Sequence, residues 1–187
     1  MRIISGIARG TKLYTLEGEN TRPTLDRVKE PLFSIIQNEI KDAVVLDLFS
    51  GSGALALEAL SRGAQKAFLC DKSYAAIDII KKNISKTHLE EKTKVLCMDY
   101  QKCIDSINEK IDLIFIDPPY KLNIAIKAVE IILEKDLLSE DGLIVIETDD
   151  EQRELQEIKN IEKNIEIVNL RTYGRVKLIF LKKKKRG

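Results

Sequence analysis

Short apolar runs alternate with amphipathic helical segments along most of the chain, and this alternation constrains the fold more than any other feature. Strands are predicted at residues 43–49, 67–70, 94–98, 111–116 and 143–147. Helices are predicted between them, at residues 54–62, 74–84, 100–107 and 124–133. Strands and helices in strict alternation form right-handed βαβ units. The fold is therefore predicted to be α/β, with a mostly parallel sheet.

The two ends of the chain depart from this alternation. Strands are predicted at 165–171 and 176–181, and the link between them is too short for a crossover helix, so they must pair antiparallel. Residues 1–20, with turn points at Gly6 and Gly10, predict a β-hairpin extension. A helix follows with Thr24 as its N-cap, and Pro31 inside it should kink the helix or delay its start. The 187 residues fit one compact unit, in which residues 21–187 form the main domain.

Charge and cysteine content restrict the protein class less than the charge distribution does. The net charge is only +1, but residues 1–16 contain Arg2, Arg9 and Lys12 and no acidic residue. The basic run at residues 182–186 is either a solvated tail or a phosphate contact. Three cysteines without metal-ligand spacing indicate reduced thiols in a cytoplasmic protein, and no segment suggests a membrane span or signal peptide.

A glycine-rich loop, Asp47-Leu48-Phe49-Ser50-Gly51-Ser52-Gly53-Ala54, links the first predicted parallel strand to its helix. Ligands bind outside the carboxyl ends of the strands in an open α/β sheet, so this loop lies on the functional edge. The spacing Gly51-x-Gly53-x-x-Ala56, with Asp71 20 residues after Gly51, also fits a dinucleotide fingerprint. An NAD-dependent oxidoreductase is therefore an alternative.

Acidic residues at the strand ends favour a cationic ligand instead. A carboxylate at Asp47 would repel the pyrophosphate of NAD, whereas S-adenosylmethionine offers an ammonium, a sulfonium and a ribose diol, which carboxylates bind well. Asp47, Asp71 and Asp99 follow successive predicted strands. They suit the amino-acid end, the ribose and the adenine amino group of this cofactor. Each could instead be an ordinary helix cap, but three in a row make that explanation weaker.

The tetrapeptide Asp117-Pro118-Pro119-Tyr120 ends the most apolar predicted strand. Two prolines could mean only that the sheet stops there. An aspartate held by two fixed φ angles and followed by an aromatic residue is also a rigid site for an amine. The Asp117 carboxylate and the Pro118 carbonyl could each accept one N–H of a base amino group while Tyr120 stacks on the base. The nitrogen lone pair would then point at a methyl donor, and positioning would supply most of the catalysis.

These motifs resemble the RsmD family of bacterial 16S ribosomal RNA guanine-N2 methyltransferases over nearly the whole chain. The resemblance is carried by Arg2-Ile3-Ile4-Ser5-Gly6, Ala8-Arg9-Gly10, Thr21-Arg22-Pro23-Thr24, the glycine-rich loop, Glu58-Ala59-Leu60-Ser61-Arg62-Gly63-Ala64 and Asp117-Pro118-Pro119-Tyr120. The last motif alone indicates only amine methylation, because DNA, RNA and protein-amide methyltransferases share it. The chain departs from the family pattern at Pro31 and in the basic run at residues 182–186.

The resemblance implies a class I, Rossmann-like methyltransferase fold with seven strands, which uses S-adenosylmethionine and no metal. It implies methylation of one guanine N2 of 16S ribosomal RNA, in a 30S subunit or an assembly intermediate, with no obligate protein partner. The expected catalytic residues are Asp117, Pro118, Pro119 and Tyr120, and the expected RNA-binding residues are Arg2, Arg9 and Lys12. The expected cofactor-binding residues are Arg22, Pro23, Thr24, Asp47, Phe49, Ser50, Gly51, Ser52, Gly53, Asp71, Lys72, Asp99 and Tyr100.

Other functions remain open at this point. Methylation of adenine N6 or of a protein amide uses the same chemistry, but such enzymes usually carry a further recognition domain, for which 187 residues leave little room. An oxidoreductase would need a catalytic acid or base, and His88, the one histidine, is a weak candidate. A non-catalytic RNA-binding module would leave the acidic edge unexplained.

Calorimetric titration separates the two cofactor classes. We expect the purified protein to bind S-adenosylhomocysteine in the micromolar range or tighter and not to bind NAD, because the strand-end carboxylates attract an ammonium and repel a pyrophosphate. Binding of NAD alone would support the oxidoreductase.

Overall fold

The computed structural model describes residues 1–16, 23–119 and 123–185, and of residues 23–26 it describes the backbone. Within these ranges one sheet contains the strands β1 (Val44–Asp47), β2 (Lys66–Asp71), β3 (Thr93–Cys97), β4 (Ile111–Ile116), β5 (Leu138–Thr148), β6 (Ile165–Tyr173) and β7 (Val176–Lys183). The helices are α1 (Pro23–Ile35), α2 (Ala54–Ser61), α3 (Tyr74–Thr87), α4 (Tyr100–Ser106), α5 (Ala125–Glu134) and α6 (Glu151–Ile158).

The sheet order is β3-β2-β1-β4-β5-β7-β6. All pairs from β3 to β5 are parallel, whereas β7 pairs antiparallel with both β5 and β6. The predicted parallel sheet and its terminal antiparallel hairpin are therefore confirmed. The sequence did not predict that β7 lies between β5 and β6, because hairpin pairing alone does not decide which strand joins the sheet.

Both faces of the central strands are buried, as their continuous apolar character requires. Along β1, Val45 packs on one face and Leu46 on the other, and Leu113 and Ile114 alternate in the same way along β4. The first face is covered by α1, α2, α3 and residues 1–16, and the second by α4, α5 and α6. The sequence missed α6, in which charged residues outnumber apolar ones.

Helix α1 begins earlier than the sequence predicted. It begins at Pro23, so Thr24 lies inside the first turn and is not the N-cap. The helix is continuous through Pro31, so a late start is wrong. A proline inside a helix removes one backbone N–H donor, and its ring crowds the preceding turn. The helix accommodates Pro31 while Val28, Leu32 and Phe33 stay buried in the core.

The N-terminal segment, residues 1–16, has the path of a hairpin but not two regular strands. A single antiparallel bridge joins Arg2 and Lys12, and the Leu13 N–H donates to the Met1 carbonyl at 3.0 Å. The segment lies along α2, in which every residue except Leu55 is buried. A helix that is apolar around its whole circumference needs cover on both sides, and the N-terminal segment supplies the outer cover.

The Glu58 carboxylate of α2 holds this segment in place. It is fully buried and accepts the N–H groups of Ile4 at 2.8 Å and Ser5 at 3.0 Å. Lys29 of α1 lies 3.2 Å from it and also donates to the Arg2 carbonyl, and Arg62 donates to it at 2.8 Å. A buried charge is tolerated only when it is paired and hydrogen-bonded, and here that requirement joins α1, α2 and the N-terminal segment.

Two glycines of this segment allow a matched test of its packing. Both have positive φ, but a Cβ at Gly6 would lie 1.7 Å from the Ser61 carbonyl oxygen, whereas a Cβ at Gly10 would meet nothing within 4 Å. We expect Gly10→Ala to lower the free energy of unfolding by about 1–2 kcal/mol through backbone strain. Gly6→Ala should cost about 1–3 kcal/mol more because of the clash. Equal effects of the two variants in urea denaturation would show that the segment does not pack on α2 in this way.

Candidate active site

The pairing of β1 with β4 creates the central feature of the site. Chain order runs outward from β1 to β2 and β3 on one side and from β4 to β5 on the other, so the β1–β4 contact is the topological switch point of the sheet. Asp47 is in register with Phe115, and the Leu48 N–H donates to the Phe115 carbonyl at 3.1 Å. The loops after β1 and β4 therefore leave the sheet side by side, which brings the glycine-rich loop next to Asp117.

The glycine-rich loop is fixed by backbone hydrogen bonds. The Ser50 N–H donates to the Cys70 carbonyl at 2.8 Å, and the Gly53 N–H donates to the Ser50 carbonyl at 2.7 Å. Gly51 and Gly53 have φ angles of +54° and +79°. A Cβ at Gly53 would lie 2.9 Å from the Leu69 side chain, whereas one at Gly51 would meet nothing within 4 Å. Gly53 therefore serves the packing of α2, and Gly51 leaves open space in which a ligand can approach the backbone.

Asp47 lies beneath this loop and is almost completely buried, at 2% exposure. Burial raises the pKa of its carboxyl to about 7, and the nearby charge of Asp71 adds to the rise. Hydrogen bonds from the Ala56 backbone N–H and from Ser50 oppose it. The ligand-free protein therefore holds Asp47 partly protonated near neutral pH, and a bound cation would favour its charged form.

Asp71 and Asp99 have different surroundings. Asp71 accepts the N–H of Gly51 at 3.0 Å and that of Ser73 at 2.9 Å, so it ties the loop after β1 to the start of α3. Asp99 is the N-cap of α4 and accepts the Lys102 N–H at 3.0 Å. This bond is the main reason why the pKa of Asp99 is lowered. The helix-cap role that the sequence left open is thus present at Asp99, although a carboxylate can accept further hydrogen bonds.

Two aromatic rings, one from the glycine-rich loop and one from the start of α4, contact each other. The Phe49 and Tyr100 ring centroids are 5.6 Å apart with an interplanar angle of 39°, and both residues are half-buried. Ser50, Ser52 and Gly53 are buried in the loop, whereas Lys72 is exposed. The edges of Phe49 and Tyr100 form an apolar border of the kind that suits a flat heterocycle.

The tetrapeptide that the sequence predicts to bind an amine follows β4 directly. Asp117 is half-buried, Pro118 is buried and Pro119 is exposed, and Tyr120 lies outside the described residues. Asp117 and Glu147, the latter near the end of β5, both line a cavity of about 10 Å³. The sequence prediction missed Glu147, which is only 7% exposed. Asp47 was predicted as a site residue because it is a charged residue at the end of an apolar strand. Glu147 has the same sequence pattern and could have been predicted on that ground.

The remaining predicted residues are more scattered. Arg22 lies outside the described residues, and Pro23 and Thr24 are in the first turn of α1. Arg2, Arg9 and Lys12 are exposed. Next to Arg9, the Ala8 N–H donates to Ser61 Oγ, at the end of α2 remote from the glycine-rich loop. The backbone next to Arg9 is thus held at the end of α2 that is about 10 Å along the helix axis from the loop.

Three lysines of the basic run near the end of the chain are paired with carboxylates. Lys183 contacts Asp136 at 2.6 Å and Glu140 at 3.2 Å, Lys182 lies 3.6 Å from Glu39, and Lys185 lies 3.3 Å from Asp141. These contacts favour an intramolecular role over phosphate contact.

In the described part of the chain no cluster of His, Cys, Asp and Glu could hold a metal ion, and no helix is long and apolar enough to cross a membrane.

Known proteins share this architecture over the full chain. A family model described as conserved hypothetical protein 95 matches residues 1–182. The chain is 36% identical over 155 residues to the Haemophilus influenzae ribosomal RNA small subunit methyltransferase D, covering 80% of this chain and 79% of that one. The chain belongs to the RsmD family. It therefore belongs to a methyltransferase family, and the NAD-dependent alternative is set aside.

Two further similar proteins match this chain over almost its whole length. A Bacillus subtilis protein named "Putative rRNA methyltransferase YlbH" is 35% identical over 187 residues, which cover 98% of this chain and 100% of that one. The solved structure titled "Putative methyltransferase yhhF from Escherichia coli" has a TM-score of 0.85 and 29% identity, and the match covers 100% of this chain and 99% of that one. The RsmD-family chain described here thus has the class I methyltransferase fold predicted from its sequence.

The raised pKa of Asp47 gives a stability prediction with a definite sign. The folded protein retains this proton up to about pH 7, whereas the unfolded chain releases it near its usual pKa of about 3.9. Relative to Asp47→Asn, the wild type should therefore lose up to about 4 kcal/mol of unfolding free energy between about pH 4 and about pH 7, and little more above that. The lowered pKa of Asp99 acts in a different window: relative to Asp99→Asn, the wild type should lose unfolding free energy only as the pH falls below about 4. Urea denaturation from about pH 3 to about pH 8 measures both effects, and a pH-independent difference for Asp47→Asn would contradict its buried environment.

Proposed function

We propose that this chain transfers a methyl group from S-adenosylmethionine to the exocyclic N2 of one guanine of 16S ribosomal RNA, in the cytoplasm and in the context of a small subunit or its assembly intermediate. The observation that carries this proposal is the pairing of β1 with β4. It sets a loop suited to a cationic cofactor directly beside a tetrapeptide suited to an amine.

The residues around the glycine-rich loop fit S-adenosylmethionine, which supplies a methyl group on a positively charged sulfur. The open space at Gly51 admits the cofactor close to the backbone. Asp47 would meet the ammonium, directly or through water, and its pKa of about 7 means that cofactor binding and proton release are linked near neutral pH. Asp71 would accept the ribose hydroxyls, and Phe49, Tyr100 and Asp99 would border the adenine.

Asp117 and Pro118 would hold the acceptor amine. The nitrogen lone pair of a base amino group is delocalised into the ring, so the amine is a weak nucleophile. The Asp117 carboxylate would accept one N–H and the Pro118 carbonyl the other, which directs the lone pair toward the neighbouring cofactor loop. Pro118 and Pro119 fix two consecutive φ angles, so these acceptors keep their positions without help from the substrate. Catalysis would then depend mainly on alignment.

The relatives support ribosomal RNA as the substrate. Their names describe ribosomal RNA methyltransferases, in the Haemophilus influenzae case of the small subunit. Arg2, Arg9 and Lys12 are exposed on the N-terminal segment, where they would contact phosphates. The target base would leave its stack to reach Asp117.

Asp117→Ala tests the chemistry. We expect this variant to bind S-adenosylhomocysteine nearly as well as the wild type but to lose methyl transfer to 30S subunits by about 10²-fold or more, because one amine acceptor is removed. Asp105→Ala is the matched control, since Asp105 is an exposed aspartate that pairs with Lys135. The measurement is transfer of labelled methyl groups, followed by mass analysis of the RNA nucleosides. Persistent turnover would remove Asp117 from the chemistry, and label on adenine or on protein would refute the guanine N2 assignment.

A further inference from the structure

Tyr14 presents an aromatic ring to solvent at the end of the N-terminal segment. The residue is 50% exposed. The Lys86 ammonium of α3 lies 4.5 Å from the centroid of its ring. An exposed ring next to a cation can stack on a nucleic-acid base while the cation meets a phosphate.

The backbone of Tyr14 is held rigidly. Its N–H donates to Asn83 Oδ1 at 2.7 Å, and its carbonyl accepts Asn83 Nδ2 at 3.0 Å. The same Asn83 amide group donates to the Ser52 carbonyl of the glycine-rich loop at 2.8 Å. Asn83 is fully buried, so Tyr14 is tied through one side chain to both α3 and the candidate cofactor loop. A ring on a fixed backbone loses little conformational freedom when a ligand binds.

The exposed side of α3 next to Tyr14 is basic. Lys82 and Lys86 are four residues apart, so they lie on neighbouring turns of the same side, and both are exposed. Asp78 is the single acidic residue of α3. Among the described residues no carboxylate forms an ion pair with Lys82 or Lys86, whereas Lys66 and Lys110 on other surfaces are paired with Glu109 and Asp136. The neighbouring residues 1–16 contain only basic charges.

We infer that Tyr14, Lys82 and Lys86 form a second RNA-contact surface, on which one unpaired base stacks against Tyr14 and the two lysines meet the flanking phosphates. This inference rests on the proposed function and extends it beyond Arg2, Arg9 and Lys12. Charge complementarity to a polyanion and the exposed ring of Tyr14 favour a single-stranded RNA segment. Through Asn83 and Ser52, RNA on this surface is connected to the loop that would hold the cofactor.

Equilibrium binding tests this surface without any methyl transfer. Fluorescence anisotropy would be measured with a short single-stranded RNA of mixed sequence and with 30S subunits. We expect Tyr14→Ala to weaken binding roughly 5- to 150-fold, the range typical for loss of one base–aromatic stack. Tyr14→Phe, which keeps the ring, should bind nearly as the wild type does. Asn83 holds Tyr14 only by its backbone, so both variants should retain S-adenosylhomocysteine binding.

The lysines are tested by salt dependence. Lys82→Ala with Lys86→Ala should reduce the slope of log affinity against log salt by about 0.7 for each phosphate that the variant no longer neutralises. Lys163→Ala removes an exposed lysine from a different surface, just before β6, and should leave the slope unchanged.

Several outcomes would overturn the inference. Wild-type affinity in Tyr14→Ala, or no RNA binding by the wild type with either probe, would refute it. Loss of binding to 30S subunits but not to the RNA alone would show that the surface meets a ribosomal protein. A different outcome would refute the proposed function: a wild-type protein that binds RNA but transfers no methyl group to it.

Discussion

The parallel pairing of β1 with β4 is the interaction on which the rest of the site depends. It reverses the strand order at the centre of the sheet, so the loops after these two strands meet at one edge. The hydrogen bond from the Leu48 N–H to the Phe115 carbonyl continues this pairing to the base of both loops. The glycine-rich loop and the turn that begins at Asp117 are about 70 residues apart in sequence. They thereby become neighbours through main-chain hydrogen bonds alone.

A second constraint comes from the burial of α2. The helix that carries the glycine-rich loop at its start is covered by the sheet on one side and by residues 1–16 on the other. Glu58 must be neutralised in that position, and Lys29, Arg62 and two backbone N–H groups do so. Glu58 and Ser61 of this helix accept backbone N–H groups of residues 4, 5 and 8 and thereby hold the N-terminal segment. The segment that would contact RNA is therefore built into the core rather than attached to it.

The strand-end aspartates show how one sequence pattern separates into different physical roles. Asp47 is buried and its pKa is raised, Asp71 joins two loops, and Asp99 caps a helix and has a lowered pKa. A cationic cofactor would find at Asp47 a carboxylate that gains charge when the cation arrives. At Asp71 and Asp99 it would find carboxylates already oriented by backbone N–H groups.

The sequence by itself determined the α/β class, the strands of the parallel sheet, the closing hairpin and the position of both functional loops, because apolar periodicity and glycine and proline positions are local signals. It missed α6, the start of α1 and the insertion of β7 beside β5. It also contained no sign that Glu58 and Asn83 are buried where they are. Those features depend on which surfaces meet in three dimensions. The sequence pattern of a helix does not distinguish a polar residue that faces water from one that faces a neighbouring backbone. Only the tertiary structure decided that Asn83 joins Tyr14 to the glycine-rich loop, since both partners are distant in sequence and bind through backbone atoms that every residue has.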